Sequence, residues 1–341
     1  MVAPTGGEKD ISPPSLLHIN SKIKTKQPTQ KIISFKFNEF IVLNHWEENF
    51  YISPPIKKRI QKKIKGTTLI LTIKDTLTKN TTYQLALNNC IKDLNEGNIL
   101  DTLYYIFSTS DEVDTHTLSG RLQDAYTLDA IKNAWVMLFD ETKNDTVIFK
   151  ETPNYIAKTD KDGYFNFPNL NANNYTIVAL TDFDFIYNEE EKIAFNTTTI
   201  NAKKDSFISL LAFDPIEETD SIASDTTIIN NDSTKTDSLL VEEIVYGNLA
   251  IIISNNNPCV FQLLQNNKVI NEWEFIEQPF LLTDIIPGKY QLKLIEDSDQ
   301  SREWTTGNWK NKTQPERVFN YPTEITIRSN WDLELEWIIE E

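Results

Sequence analysis

The chain has 341 residues, 40% of them apolar and 11% aromatic, with nine glycines, two cysteines and a formal charge of −17. That length exceeds one compact core and suits two or three domains of roughly 100 residues each. The acidic balance argues against a nucleic-acid-binding body. No run of 18 apolar residues occurs, so no helix is expected to cross a membrane.

The charge is uneven. Residues 13–110 hold 14 Lys/Arg against 7 Asp/Glu, whereas residues 111–341 hold 18 against 41, so a basic head precedes an acidic body. Solubility alone accounts for such a split. A basic head also suits anionic lipid headgroups or phosphate-bearing glycolipid. Glycine is scarce for a β-rich chain, so turns are expected to use Asn and Asp, which tolerate left-handed backbone.

Residues 1–12 (MVAPTGGEKDIS) are polar and rich in Pro and Gly, and read as a tether. The abrupt start suggests a leader that has been removed. An edge strand is expected before residue 30. Strand-like, β-branched and aromatic runs then fall at 32–37, 49–54, 67–73, 82–87 and 104–109. The run KKRIQKKIKG (57–66) could form one or two helical turns. After a polar joint at 111–117, strands are predicted at 118–124, 134–140, 154–159, 164–167, 174–180 and 206–213, with TDKDGYF (159–165) as a hairpin turn. Residues 214–243 hold nine acids, one Lys, no aromatic and no Gly, which reads as a linker or extended loop. A third series follows at 247–254, 259–265, 268–275, 279–285, 289–297, 323–328 and 331–340. In the last run Trp331, Leu333, Leu335 and Trp337 share one face.

Two of these stretches are one pattern written twice. FNFPNLNANNYTIVALTDFD (165–184) aligns without a gap on FLLTDIIPGKYQLKLIEDSD (280–299), placing Phe165 on Phe280, Phe167 on Leu282, Leu170 on Ile285 and Tyr175 on Tyr290. A shared spacing of large apolar residues implies shared core positions, hence two copies of one β unit.

The ordered pieces Phe35-Lys36-Phe37-Asn38-Glu39-Phe40, Ser53-Pro54-Pro55, Gly66-Thr67-Thr68-Leu69, Asn80-Thr81-Thr82-Tyr83, Ile91 to Asn98 and Phe107-Ser108-Thr109 resemble the bacterial Ig-like domain family named after the SbsA surface-layer protein. Leu118-Ser119-Gly120-Arg121-Leu122, Ala134 to Leu138 and Thr159 to Phe165 resemble a carboxypeptidase regulatory-type, transthyretin-like β-sandwich. Residues 244–341 resemble a divergent second copy. Together with VAPTGGEKD, the arrangement resembles Ig-like-domain lipoproteins of the Bacteroidota. The resemblance implies a lipidated cysteine just upstream of the PTGG segment, where this sequence has none, and for some members a place in outer-membrane protein assembly or secretion.

Candidate sites are few. Asp182 and Asp184, and by the repeat Asp297 and Asp299, follow equivalent strands. Spaced carboxylates suit a hard cation such as Ca²⁺, but Phe183 and Phe185 interrupt the first loop and Arg302 the second, and solvated turns explain both. The long loop 303–321 carries Trp304 and Trp309, which could stack on a sugar or cover the open end of a sandwich. Lys57, Lys58, Arg59, Lys62, Lys63 and Lys65 form a basic run that could meet phosphate or stay solvated. Cys90 and Cys259 sit in apolar settings in different predicted domains and are expected as buried, unpaired hydrophobes. No CxxC, HExxH, GxSxG, phosphate loop or dinucleotide fingerprint occurs.

The expectation is an all-β chain of tandem β-sandwiches: a tether (1–12), an Ig-like domain (13–110), a transthyretin-like sandwich (118–213), an acidic linker (214–243) and a second transthyretin-like sandwich (244–341). The expected role is non-enzymatic: an outer-membrane, lipid-anchored scaffold binding another envelope protein, with no cofactor. A glycan-binding surface protein using Trp304 and Trp309 is the alternative.

Overall fold

The computed structural model describes residues 9–21, 31–141, 145–181, 185–188, 190–215, 245–254, 257–275 and 278–339. The predicted linker therefore lies almost wholly outside the described residues, as do residues 1–8 of the tether. The described chain is nearly all β.

The first stretch holds β1 (Leu16–Ser21), β2 (Lys31–Phe37), β3 (Ile41–Leu43), the one-turn helix α1 (Trp46–Asn49), β4 (Tyr51–Ser53), β5 (Gln61–Lys65), β6 (Thr68–Ile73), β7 (Thr82–Ala86), β8 (Ile91–Asp93), β9 (Ile99–Leu100) and β10 (Tyr104–Ser108). They form sheets ordered β1-β2-β6-β5, β10-β7-β4 and β3-β8-β9. Period-two alternation builds the core: Ile33, Phe35 and Phe37 of β2 face Leu69, Leu71 and Ile73 of β6 on the inner side, and all six are buried. Residues 57–66 contain no helix, contrary to one reading of KKRIQKKIKG. Gly66, at φ +64°, turns the chain straight back so that Lys65 pairs with Thr68 and Ile64 with Leu69. Its alternation lets Ile64 enter the core as a strand residue.

The second stretch holds β11 (His116–Asp124), β12 (Trp135–Asp140), β13 (Tyr155–Lys158), β14 (Tyr164–Leu170), β15 (Asn174–Leu180), β16 (Ile193–Phe195), β17 (Ile200–Asn201) and β18 (Phe207–Ala212). The third holds β19 (Gly247–Ile253), β20 (Cys259–Gln265), β21 (Lys268–Phe275), β22 (Phe280–Ile285), β23 (Gly288–Glu296), β24 (Val318–Asn320), β25 (Ile325–Ile327) and β26 (Asp332–Trp337). Sheet β14-β11-β18 matches β22-β19-β26. Sheet β13-β12-β15-β16 with β17 matches β21-β20-β23-β24 with β25.

The repeat is visible at the level of register. Gly120 pairs with Phe165, Leu118 with Phe167 and His116 with Leu170, with a shift between His116 and Leu118. Ile251 pairs with Phe280, Leu249 with Leu282 and Gly247 with Ile285, with the shift between Gly247 and Leu249. Tyr175 lies opposite Ile200, and Tyr290 opposite Ile325. The Tyr175 hydroxyl donates to Asn171 O (3.4 Å) and the Tyr290 hydroxyl to Ile286 O (2.7 Å), each four residues back. A buried phenol needs such a partner, so both copies place the tyrosine beside a turn carbonyl. In the third stretch the closing strand β26 runs parallel to β19.

The hairpin expected at TDKDGYF is a different feature. The turn exists: Gly163 has φ +80°, and Asp160 Oδ1 accepts the N–H groups of Asp162 and Tyr164. The strands on either side pair elsewhere, β13 with β12 and β14 with β11, so the turn carries the chain from one layer to the other. Asn and Asp replace glycine as expected: positive φ falls on Asn80, Asn89, Asn133, Asn169, Asn266, Asn267, Asp284 and Asn330.

Strand pairing keeps to three stretches, but packing gathers them into two compact units. One comprises Met1–Leu122, Ala130–Asn188 and Ala194–Leu210; the other Gln123–Asp129, Glu189–Ile193 and Leu211–Glu341. Within the first unit, every residue of β7 is buried. Tyr83 and Leu85 point into the core of the first stretch, and the other face (Thr82, Gln84, Ala86) is covered by the sandwich that follows. The Ser53 hydroxyl accepts the Ile156 N–H at 3.0 Å, Thr82 Oγ1 accepts the Asp114 N–H at 2.9 Å, and Lys158 Nζ donates to Glu48 O at 2.6 Å. Tyr51 meets Trp135 edge-on at 5.4 Å. Main-chain groups are thus paired across the seam, and the fully buried one, the Ile156 N–H, has the partner that burial requires.

Candidate functional site

In the second unit the chain leaves β23 into a long loop that returns through β24. Asp297 and Glu316 are buried there and Asp299 is exposed, and one carboxylate oxygen from each lies within 4.8 Å of the others. Asp297 Oδ1 accepts the Ser301 N–H (2.9 Å) and Oδ2 the Arg302 N–H (3.1 Å). Glu316 Oε1 accepts the N–H and hydroxyl of Ser298 (2.7 and 3.0 Å), and Oε2 the Thr305 N–H (3.0 Å). Asp299 Oδ2 accepts the Thr305 hydroxyl at 2.7 Å. Hydrogen bonds from Thr305 and Ser301 hold the Asp299 carboxyl below its usual range. These oxygens brace the loop, and the trio is a carboxylate-tied turn. The sequence pointed to Asp297 and Asp299 but not to Glu316, which arrives from the far arm of the loop.

The same device recurs at Asp93, whose oxygens accept the N–H groups of Glu96 (2.6 Å), Gly97 (2.8 Å) and Asn98 (2.7 Å). Asp182 and Asp184 lie outside the described residues.

The tryptophans do not form a platform. Trp309 is buried, at 7% exposure, so its faces are taken by protein. The Trp304 indole N–H donates to Glu316 O at 3.0 Å, and its ring lies tilted against Tyr126 at 5.2 Å. Both therefore follow the covering role, because the loop supplies apolar surface that the sheet leaves open.

Beside Trp304 is a cleft of about 360 Å³ lined by Asp124, Tyr126, Thr127, Lys192, Ala212, Phe213, Asp214 and Trp304. Lys192 bridges two carboxylates, Asp124 and Asp214 (3.1 Å to the second). Burial would lower the Lys192 pKa, but hydrogen bonds to both carboxylates outweigh it and the value rises. Burial would raise Asp124, but the bonds from Lys192 and from the Thr127 and Tyr126 N–H groups hold it down. Lys293 is a buried lysine nearby. Its Nζ donates to Tyr126 O at 2.6 Å and sits 3.9 Å from the Tyr126 ring centroid, while burial lowers its pKa. Neither residue 192 nor 293 was singled out by sequence, since each acquires its partner from a distant segment.

The basic run divides by strand face. Lys62 turns inward, paired with Glu47 and lying 5.0 Å from the Trp46 ring centroid. Lys57, Lys58, Arg59, Lys63 and Lys65 stay exposed. Cys90 and Cys259 are free and buried, and burial pushes each thiol up to about 12.

Residues 10–109 match the family described as Bacterial Ig-like domain. No curated protein matches the chain. Among solved structures, fervidolysin from Fervidobacterium pennivorans, a keratinolytic enzyme related to subtilisin, is 10% identical at TM-score 0.22. That alignment covers 56% of this chain and 26% of fervidolysin, so the chain spans about a quarter of its length. The Bacillus anthracis TIE protein is 11% identical at TM-score 0.20, covering 98% of this chain and 59% of its own. The major pilin subunit BcpA of Bacillus cereus is 10% identical at TM-score 0.20, covering 57% and 70%. Likeness this low carries no functional inference.

Proposed function

We propose that this chain is a non-enzymatic cell-envelope protein, lipid-anchored at the outer membrane, that scaffolds or docks another envelope protein within an assembly or secretion complex. In this reading the two later sandwiches are transthyretin-like. The observation that carries it is the seam of the first unit. A strand buried on both faces and hydrogen bonds from side chains to main-chain groups across the junction join the Ig-like domain and its neighbour in one compact unit, which suits a spacer or docking element. The carboxylates gathered at 297–316 and at Asp93 are consumed as loop braces, and Lys192 and Lys293 as packed links. A glycan platform would need both Trp304 and Trp309 free, and Trp309 is buried.

Crosslinking and affinity purification of the lipidated protein from its own envelope tests the reading. A defined membrane complex recovered in fixed ratio is the expected result. Recovery of abundant, unrelated proteins alone overturns it.

A further inference from the structure

The Ig-like head carries a sheet face whose charge the sequence run alone does not reveal. Register across β1-β2-β6-β5 puts Lys36, Thr68 and Lys65 in one row and Ser34, Ile70 and Lys63 in the next. The side chains of β2 and β6 in these rows point away from the core, because the alternate residues Phe35, Phe37, Leu69 and Leu71 are buried in it. Lys36, Lys63 and Lys65 are all exposed. No Asp or Glu stands in any outward row of this sheet, in a chain whose net charge is −17. Lys57, Lys58 and Arg59 precede β5 and are exposed as well. Of the acids beside these basic residues, Asp75 is occupied by the Lys58 and Thr76 N–H groups, both at 2.9 Å, and Glu47 is paired with Lys62 and, at 4.0 Å, with Arg59.

We propose that this face docks on the phosphate-bearing headgroups of an anionic bilayer. The lysines stand on a flat sheet: Lys36 and Lys65 are about 10 Å apart across two strand spacings, and Lys63 and Lys65 about 7 Å apart along one strand. The side chains between them, Thr68, Ser34 and Ile70, offer one apolar and two hydroxyl-bearing groups on an open sheet and build no wall around a single soluble anion, which would remain hydrated there. A plane of phosphates engages every lysine at once. Repulsion from the acidic remainder is cut off beyond a screening length of about 8 Å at physiological salt, so the face's own charges govern close approach. Lys62, turned inward to Glu47, takes no part.

The test is flotation of the soluble chain with vesicles of pure phosphatidylcholine or with 30% phosphatidylglycerol, which needs no partner protein and so is independent of the docking reading above. Binding to the anionic vesicles alone is expected. Each lysine contributes about fivefold, so K36Q/K63Q/K65Q should weaken binding about a hundredfold. K36R/K63R/K65R should retain it, and K203Q/K204Q, exposed lysines outside this face, should leave it unchanged. Equal binding to neutral vesicles, or an undiminished K36Q/K63Q/K65Q chain, overturns the proposal. So does lysine-dependent retention on immobilised polyphosphate without vesicle binding, which would make the occupant a soluble polyanion.

Discussion

β13 and β21 hold the same place at the edge of matching sheets, yet one is buried and the other bare. Tyr155, Ile156 and Ala157 of β13 are all buried. In β21 residues 268–272 and 274 are exposed and Trp273 is partly covered. The difference comes from what lies against them. The Ig-like head covers β13 and supplies Ser53 to its edge N–H, and among the described residues nothing does so for β21. The lesson is that duplication fixes pairing and core, while the burial of an outer edge is decided by a neighbour. The sequences record it: YIA is continuously apolar, as a strand covered on both faces must be, whereas KVINEWEF mixes charges into its alternation.

Cys90 in the first unit and Cys259 in the second allow the comparison to be broken open, since each thiol is buried and free. Both should resist alkylation at pH 8 and label only as their own unit opens. The largest effect is expected from Trp135→Ala. Trp135 packs against Tyr51 and Phe185 beneath Lys158, and its loss should cost about 3–5 kcal/mol. Urea denaturation followed by thiol labelling should show Cys90 exposed early and Cys259 unmoved. Equal acceleration at both would refute separate units.

Lys192→Met should destabilise the second unit by about 2 kcal/mol, because it strands Asp124 without its charged donor. Its pH dependence has a definite sign. Asp124 is depressed when folded, so its contribution is full above the unfolded carboxylate value of about 3.9 and fades as pH falls through the lower folded value. Lys192 is raised, so its contribution is full below about 10.4 and fades as pH rises through the higher folded value. The difference in melting free energy between Lys192→Met and the parent should therefore be flat near neutrality and shrink at both extremes. A constant difference down to pH 2 would show that the bridge does not form.

Ser53→Ala leaves the Ile156 N–H without its acceptor at a buried seam and should cost about 1–3 kcal/mol, seen in the Cys90 labelling midpoint. The smallest effect belongs to the bare edge. Ile270→Thr on β21, an exposed position, should change stability by no more than about 0.5 kcal/mol in the Cys259 assay. A large loss there would mean that β21 is covered in solution.

The long apolar runs were legible because strand propensity and periodicity are local: runs at 32–37, 67–73, 174–180 and 259–265 became strands. The short strands β3, β5, β8, β9, β16, β17 and β24 were not, since two to five residues give no period to count. Of the candidate site, Asp297 and Asp299 were readable from the repeat. Glu316, Lys192 and Lys293 were not, because nothing in their own neighbourhood marks the partner. Trp304 and Trp309 were visible as residues, but whether a ring is a platform or a plug depends on what it touches.

The amino-acid sequence by itself determined the longer strands, the doubled core of Phe165/Phe280, Phe167/Leu282 and Tyr175/Tyr290, the Asn and Asp turns, and the inert cysteines, all through side-chain period and backbone preference. The tertiary structure alone decided which outer faces are covered, that β7 and β13 are dry on both sides, that Lys62 turns in while Lys63 and Lys65 turn out, and that three carboxylates meet at one loop. The former are properties of neighbouring residues. The latter require segments far apart in the chain to meet, and no local pattern encodes the meeting.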